Sequence, residues 1–248
     1  MKISVITAAY KSKETIGEAI ASVANQTYPD VEHIVIEGSS GDGTLEEILR
    51  SQHKRMRLIS EPDSGVYEAF NKGLKNVTGD VIGFIHSDDV FKHDDVLTKI
   101  AEAFSDPNVE AVYSDLDYVS KTNTSNIIRR WTSCSFQQSS LKYGWMPAHP
   151  TLYLRREAYE SLGKFDQNMN ISGDYDFILR YFSQTTRNSV YIPEVLYNMR
   201  VGGLSNRSWA MIYQKIKEDM IAIRRNKTGG YFTLLMKNMS KVTQYLIY

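Results

Sequence analysis

The sequence predicts an α/β domain built on a mostly parallel β-sheet. Short apolar runs alternate with segments of helical periodicity through the first hundred residues. The apolar runs are nearly continuous, as expected for strands that helices cover on both faces. A chain of 248 residues is also long enough to bury a sizeable core.

The first half contains the clearest elements. Predicted strands cover residues 3–7, 31–37, 56–60 and 81–85. Ser12 is placed to cap the first helix, and Thr44 with Glu47 forms a capping-box pattern before the second. Two further helices are predicted near 68–76 and 94–104.

The alternation weakens after residue 105. Strand candidates at 111–113, 127–131 and 151–154 surround the loop "YGWMPAHP". Helices are predicted at 156–162, 174–182 and 206–225, and Gly229-Gly230 precedes a last segment at 231–248. We find no repeat, low-complexity tract or linker that would separate independent domains.

Composition excludes several classes of protein. With 29 basic and 29 acidic residues, the formal net charge is zero, which argues against a protein that mainly coats nucleic acid. A single cysteine, Cys134, permits neither an internal disulfide nor a cysteine-based zinc cluster, and it fits a reducing compartment. The opening "MKISVITAA" is interpreted as a buried strand rather than a secretory signal. The sequence contains no run of about 18 consecutive apolar residues, so it predicts no membrane-spanning helix.

The carboxyl ends of the predicted strands should meet at one edge. Right-handed crossovers place them together, and open α/β sheets bind ligands there. This edge should carry residues 7–10, 37–43, 61–65 and 86–89.

Two adjacent acids, Asp88 and Asp89, follow the fourth strand in "GFIHSDDVF". They could belong to a solvated turn. Their position at the ligand-binding edge instead favours a cation between them and a ligand, because adjacent like charges repel. Oxygen ligands suit Mg²⁺ or Mn²⁺, which often bind through one or two carboxylates and substrate phosphates.

Other candidates each have an ordinary structural alternative. Glu37 precedes "GSSGDGT", a loop that matches no standard phosphate loop. The Glu37 carboxylate, at the end of a strand, could nevertheless contact a nucleotide. Asp174 and Asp176 could be a proton acceptor or merely first-turn acids that stabilise a helix dipole. His149 could act in the site or form a structural hydrogen bond. Arg200, in "RVGGLS", could close over a diphosphate or lie in an ordinary loop.

The order and spacing of several segments resemble family 2 glycosyltransferases of the GT-A fold. These segments are "SVITAAYKSKETIGEAIASVANQTYPDVEHIVIEGSSGDGT", "SEPDSGVYEAFNKGLKNVTGDVIGFIHSDD" and "GDYDF". The resemblance extends over about residues 1–205 and is closest to bacterial members that build exopolysaccharide, capsule or O-antigen. It implies a nucleotide-binding half at about 1–105, an acceptor half at about 106–205 and a helical extension at 206–248.

The resemblance also assigns roles to individual residues. It implies that Thr7, Ala9 and Tyr10 line the base pocket, that Glu37 replaces the family's base-contacting Asp, and that Asp63 approaches the nucleotide. Asp88 and Asp89 correspond to the DXD-type motif, with Asp89 the metal ligand and Asp88 nearer the ribose or diphosphate. Asp174 corresponds to the catalytic base, but Gly173 stands where the family has Glu, so the choice between Asp174 and Asp176 stays open.

The implied activity is inverting transfer of a single sugar, because the QxxRW motif of processive members is absent. The expected donor is a UDP-sugar, the cofactor Mn²⁺ or Mg²⁺, and the acceptor a glycan or lipid-linked glycan, in a cytoplasmic protein. Two alternatives are a sugar nucleotidyltransferase and a nucleotide-sugar-binding module without transfer. The segment 231–248 could lie on the inner face of a membrane, or pack on the domain or on a second subunit in an oligomer.

Overall fold

The computed structural model describes residues 1–184, 188–202 and 208–244. Nine strands are formed by these residues: β1 (Ile3–Ala9), β2 (Val31–Glu37), β3 (Met56–Ser60), β4 (Val81–Phe84), β5 (Val90–Phe91), β6 (Ala111–Val119), β7 (Ile127–Trp131), β8 (Tyr153–Arg155) and β9 (Ser189–Arg200). The α-helices are α1 (Ile16–Ala24), α2 (Thr44–Arg50), α3 (Val66–Asn76), α4 (Val96–Ala103), α5 (Arg156–Leu162), α6 (Gly173–Phe182), α7 (Trp209–Arg225) and α8 (Tyr231–Thr243). Short 3₁₀ helices cover Gln138–Tyr143 and His149–Thr151.

These strands join one sheet in the order β3-β2-β1-β4-β8-β6-β9-β5, and β7 pairs with β6. Strands β1 to β4 are parallel, and β8 runs antiparallel between β4 and β6. Strand β9 is parallel to β6, so six of the described strands share one direction. The predicted mostly parallel sheet is therefore confirmed.

Helices cover both faces of the sheet. On one face, side chains of α3, α5, α6 and α7 pack against β1, β2 and β4 in a core that includes Phe70, Phe84, Tyr159 and Phe177. On the other face, α1 and α4 pack against the same strands. Near-complete burial on both faces explains why the strands of the first half are almost continuously apolar.

The predicted cap of the first helix is wrong. Helix α1 begins at Ile16, and its N-cap position is Thr15 rather than Ser12. The chain first makes a turn in which the Ser12 carbonyl accepts hydrogen bonds from the amides of Thr15 and Ile16. This turn delays the start of the helix.

The predicted capping box of the second helix is also wrong. Helix α2 begins at Thr44 itself, so this residue does not occupy the cap position. The Thr44 hydroxyl donates to Asp42 Oδ1 at 2.6 Å, and the Glu47 carboxylate pairs with Arg50. Both side chains therefore have other partners than the pattern predicts.

Two predicted strands of the second half have different bounds in the structure. The strand predicted at 111–113 continues to Val119, because it pairs with β7 and β9 along this length. The strand predicted at 151–154 begins only at Tyr153, since residues 149–151 form a 3₁₀ turn.

Strand β9 has no counterpart among the predicted strands. It contains Pro193, which normally argues against an interior strand because proline cannot donate a ladder hydrogen bond. The register jumps at this point: Ser114 pairs with Ile192, whereas Asp115 pairs with Val195. The irregularity accommodates Pro193 and lets the strand continue to its end at residue 200.

His33 predicts how stability should depend on pH. Its ring is fully buried on β2, with Nε2 2.9 Å from Thr7 Oγ1 and Nδ1 3.3 Å from His53 Nε2. Burial, together with the nearby positive charges of His53 and Arg55, lowers the pKa of His33 to about 3. The unfolded chain binds a proton here below about pH 6.5 and the folded chain does not, so acidification favours unfolding.

We expect the unfolding free energy to fall by up to about 1.4 kcal/mol per pH unit between about pH 6.5 and the lowered pKa. Urea unfolding of the wild type and His33→Asn at several pH values measures this slope, which the variant should flatten. His93→Asn, at an exposed position, is the matched control and should keep the wild-type slope. Equal slopes in the wild type and His33→Asn would contradict the prediction.

Candidate active site

The fold brings most of the predicted site residues to one edge of the sheet. Ala9 pairs with Glu37, and Glu37 pairs with Ser60, so the loops after β1, β2 and β3 start side by side. The loop after β4 carries Asp88 and Asp89. Strand β9 ends at the same edge with Arg200, whose amide and side chain contact this loop.

An aromatic ring and a carboxylate flank one point on this edge. A Cβ atom added to Gly38 would lie 2.6 Å from Asp63 Oδ2 and 3.2 Å from Tyr10 Cδ2, so the two side chains lie close together over this glycine. The Tyr10 side chain is 58% exposed and can offer its ring to a planar ligand. Burial, with smaller contributions from Glu68 and Glu37, raises the pKa of Asp63.

Thr7, Ala9 and Glu37 lie beneath this point rather than at its surface. Thr7 and Ala9 are buried, and the Thr7 hydroxyl is engaged with His33. The Glu37 carboxylate accepts hydrogen bonds from the amides of residues 39 and 40 and from the Ser60 hydroxyl. Burial alone would raise the pKa of Glu37, but these hydrogen bonds outweigh it and lower the pKa. Direct contact of these three residues with a base stays a prediction.

Asp89 is a buried carboxylate with one oxygen unsatisfied. Its Oδ1 accepts a hydrogen bond from the Arg200 amide at 3.1 Å, but within the described residues Oδ2 has no hydrogen-bond partner. Burial, together with the charge of Asp88, raises the pKa of Asp89 well above its usual range. Arg200 Nη1 donates to the Asp88 carbonyl at 2.6 Å, and Nη2 pairs with Glu18 on α1.

This arrangement fits a divalent cation that is bound by protein carboxylates and substrate phosphates together. No three His, Cys, Asp or Glu side chains cluster as a metal site in the part of the chain that the structure describes. Mg²⁺ and Mn²⁺ are commonly held by one or two carboxylates and substrate phosphates. Asp89, with its unsatisfied buried oxygen, and its neighbour Asp88 are the residues that would hold such an ion.

Asp174 lies in the first turn of α6 and is partly buried. The Tyr67 hydroxyl donates to the Ile171 carbonyl at 2.7 Å and lies 3.2 Å from Asp174 Oδ1. A Cβ atom added to Gly173 would come within 2.9 Å of the Tyr67 ring. A glutamate before Asp174 would therefore collide with Tyr67, which accounts for Gly173 at this position.

Asp176 faces a different environment. It is fully buried and pairs with Arg180 at 2.9 Å and Arg225 at 3.5 Å, and Asn226 Nδ2 donates to it at 3.1 Å. These contacts join α6 to the end of α7. The Asp176 carboxylate is therefore engaged in structural contacts, whereas the carboxylate of Asp174 stays partly accessible.

His149 lies in an aromatic cluster. Its ring centroid is 5.2 Å from that of Phe84, 5.7 Å from Phe70 and 5.8 Å from His86. Burial lowers the pKa of His149 to about 4, although the charge of Asp174 opposes this. His149 is thus near the site, in a packing position. The neighbouring His86 lies on the predicted edge, two positions before the acid pair, but the sequence did not single it out as a candidate site residue.

The C-terminal helices hold the segment that leads to Asp174. The Glu218 carboxylate on α7 accepts hydrogen bonds from the amides of residues 170–172 at 2.8–3.0 Å. Next to it, Asp219 accepts from the Ser172 hydroxyl at 2.7 Å and pairs with Lys237 of α8, also at 2.7 Å. The sequence offers no signal for the contacts between this segment and α7, because the partners are 46 or more residues apart.

Four predictions fall partly or wholly outside the described residues. Of the glycine pair after Arg200, only Gly202 is described, and the predicted domain boundary at residue 205 and helix start at 206 are not. The end of the last segment, 245–248, also lies outside them.

Comparison with known proteins identifies the family of the chain. Residues 4–163, more than half of the chain, match the family model "Glycosyl transferase family 2". A PGL/p-HBAD biosynthesis glycosyltransferase of Mycobacterium tuberculosis is 29% identical over 191 residues, which cover 75% of this chain and 72% of the relative. An uncharacterized glycosyltransferase of Nostoc is 34% identical over 122 residues, 48% of this chain and 38% of that protein.

Solved structures share the fold. Residues 1–349 of S. aureus TarS in complex with UDP-GlcNAc superpose with a TM-score of 0.71 at 18% identity, over 90% of this chain and 66% of that chain. The mannosyltransferase PcManGT from Pyrobaculum calidifontis, in complex with GDP-Man and Mn²⁺, gives a TM-score of 0.69 at 20% identity, over 99% and 69%. These likenesses confirm the GT-A fold. Together with the family match, they show that the chain belongs to glycosyl transferase family 2.

Proposed function

We propose that this glycosyltransferase is inverting and metal-dependent, and that it transfers a single sugar from a UDP-sugar to an acceptor hydroxyl in cell-surface polysaccharide synthesis. One observation carries the proposal: a single edge of the sheet holds Tyr10 and Asp63, the acid pair Asp88-Asp89 with Arg200, and the start of α6 with its first-turn carboxylate. The UDP-GlcNAc complex of TarS and the Mn²⁺ complex of PcManGT support the expected donor and cofactor.

Each group at this edge has a distinct task in the proposed reaction. Tyr10 and Asp63 receive the nucleoside. The acid pair and Arg200 orient the diphosphate, and a cation bound there would stabilise the charge that develops on the leaving group. Asp174 then accepts the proton of the acceptor hydroxyl.

The proposed reaction is a single displacement at the anomeric carbon and needs no covalent intermediate. The acceptor oxygen forms its bond to this carbon from the face opposite the donor diphosphate. The carbon–oxygen bond to the diphosphate breaks, and its electron pair leaves with the nucleotide. The proton goes to Asp174, and the configuration at the anomeric carbon inverts.

A donor screen tests the proposal. Nucleotide release from UDP-, GDP- and other nucleotide-sugars is measured with Mn²⁺, with Mg²⁺ and with a chelator, in the presence of glycan and lipid-linked acceptors. Release that requires both a metal and an acceptor supports transfer. Donor binding without release would favour a nucleotide-sugar-binding module, and pyrophosphate-dependent formation of a nucleoside triphosphate would favour a nucleotidyltransferase.

The variant Asp89→Asn tests whether Asp89 binds the proposed metal ion. We expect the substitution to weaken Mn²⁺-dependent UDP binding at least about tenfold, since it removes the charge that faces the cation but keeps the side-chain shape. Calorimetry with UDP, with and without Mn²⁺, measures the change. Asp94→Asn, at an exposed position before α4, is the control and should bind as the wild type does. Undiminished Mn²⁺-dependent binding by Asp89→Asn would rule out this metal site.

A further inference from the structure

The outward sides of α7 and α8 form a surface rich in exposed aromatic and aliphatic side chains. Trp209 is 86% exposed, Tyr231 74% and Tyr213 71%. A spacing of four residues along each helix places such side chains on one side of it. Isolated exposed apolar residues are ordinary, but such a concentration on two adjacent helices marks an interaction surface. We call this surface the C-terminal face and define it by Trp209, Tyr213, Tyr231, Phe232, Leu235 and Met239.

The two helices present these side chains as one continuous surface. Arg224, near the end of α7, places its guanidinium 5.3 Å from the ring centroid of Tyr231 at the start of α8. The buried ion pair between Asp219 and Lys237 fixes the helices together from beneath. Tyr143, also exposed, packs edge-on against Phe232 and extends the surface.

The charge of this segment indicates what the C-terminal face binds. Residues 208–244 contain seven Lys or Arg and only two acids, although the whole chain has no net charge. Both acids, Glu218 and Asp219, are buried and point inward. The exposed basic residues include Lys217, Arg224 and Lys227. A second copy of this face would bring like charges together, whereas an anionic surface would complement them.

We propose that the C-terminal face docks on an anionic lipid bilayer, with α7 and α8 lying in the membrane interface. Trp and Tyr side chains favour the membrane interface because their rings are apolar and their tips are polar. Basic residues beside an apolar stripe add attraction to anionic headgroups. None of the described helices is long and apolar enough to cross a membrane. The inference does not depend on the proposed transfer reaction, but docking would bring the segment that Glu218 holds, and so Asp174, towards the bilayer.

Sedimentation of the full chain with vesicles tests the proposal. Vesicles of phosphatidylcholine with about a third phosphatidylglycerol are compared with pure phosphatidylcholine vesicles. We expect binding to the anionic vesicles that weakens as salt is added. Trp209→Ser combined with Phe232→Ser should reduce this binding at least about tenfold, and Lys217→Gln combined with Arg224→Gln should remove the preference for anionic lipid.

Leu49→Ser is the matched control, because Leu49 is a 53% exposed aliphatic residue on α2, outside the face. It should bind vesicles as the wild type does, and thermal unfolding should show that every variant is folded. Absence of binding to anionic vesicles, or equal loss in Leu49→Ser, would overturn the proposal. So would self-association that Trp209→Ser and Phe232→Ser abolish without any vesicle binding, since this would assign the face to a second copy.

Discussion

Asp174→Asn should lower the rate of sugar transfer by about 10²–10⁴-fold and leave donor binding unchanged. The amide keeps the size of the carboxylate and its contact with Tyr67, but it cannot accept the acceptor proton. Turnover with a saturating donor and calorimetry with UDP and Mn²⁺ separate the two effects. Because Asp174 lies in the first turn of α6, the variant should retain its helix at a cost of only about 0.3–1 kcal/mol.

Asp176→Asn is the matched control at the second carboxylate of the same helix turn. It should lower stability, because Arg180 and Arg225 lose the charge of a fully buried partner. At a temperature where the variant is folded, its turnover should stay close to that of the wild type. Wild-type turnover in Asp174→Asn, or a larger loss in Asp176→Asn, would contradict the assignment of the base.

Glu218→Ala should destabilise the protein by about 1–3 kcal/mol, which is the cost of leaving a buried donor unsatisfied. The substitution removes the acceptor for three backbone amides at residues 170–172. Urea unfolding of the wild type and the variant measures the loss. Lys217→Ala, at the exposed neighbouring position on α7, should change stability by less than about 0.5 kcal/mol.

The same variant also tests whether Glu218 positions Asp174, the proposed catalytic base. Where Glu218→Ala is still folded, we expect kcat to fall, because residues 170–172 lead into α6, which carries Asp174. UDP affinity should be kept, because Tyr10 and Asp63 lie on the loops after β1 and β3. A purely structural role would lower both in proportion to the unfolded fraction. A loss of stability with unchanged kcat in the folded enzyme would contradict the positioning role.

The first half of the fold could be predicted from sequence because its signals are local. Strands β2 and β3 begin and end where periodicity and turn residues place them. Parallel strands then require their carboxyl ends to meet, which puts the loops that carry Asp63 and the acid pair on one edge. The orientation of Thr7 and Glu37 could not be predicted, because it depends on partners such as His33 and Ser60 on neighbouring strands.

The second half of the chain was less predictable because long-range contacts decide its structure. Strand β9 contains a proline that its irregular pairing with β6 accommodates. The choice between Asp174 and Asp176 depends on Tyr67, Arg225 and Asn226, which lie far along the chain from both. Neither periodicity nor spacing can reveal such partners.

The contacts of Glu218 and Asp219 bear on how this enzyme could be recombined with its relatives. The family match ends at residue 163, before α6, so the stretch that carries Asp174 lies beyond the matched region. A chimera that exchanged residues 170–182 alone would separate residues 170–172 from the carboxylates that hold them. The transferable unit therefore runs from the segment before α6 through α8, and we expect acceptor specificity to be inherited with that whole block.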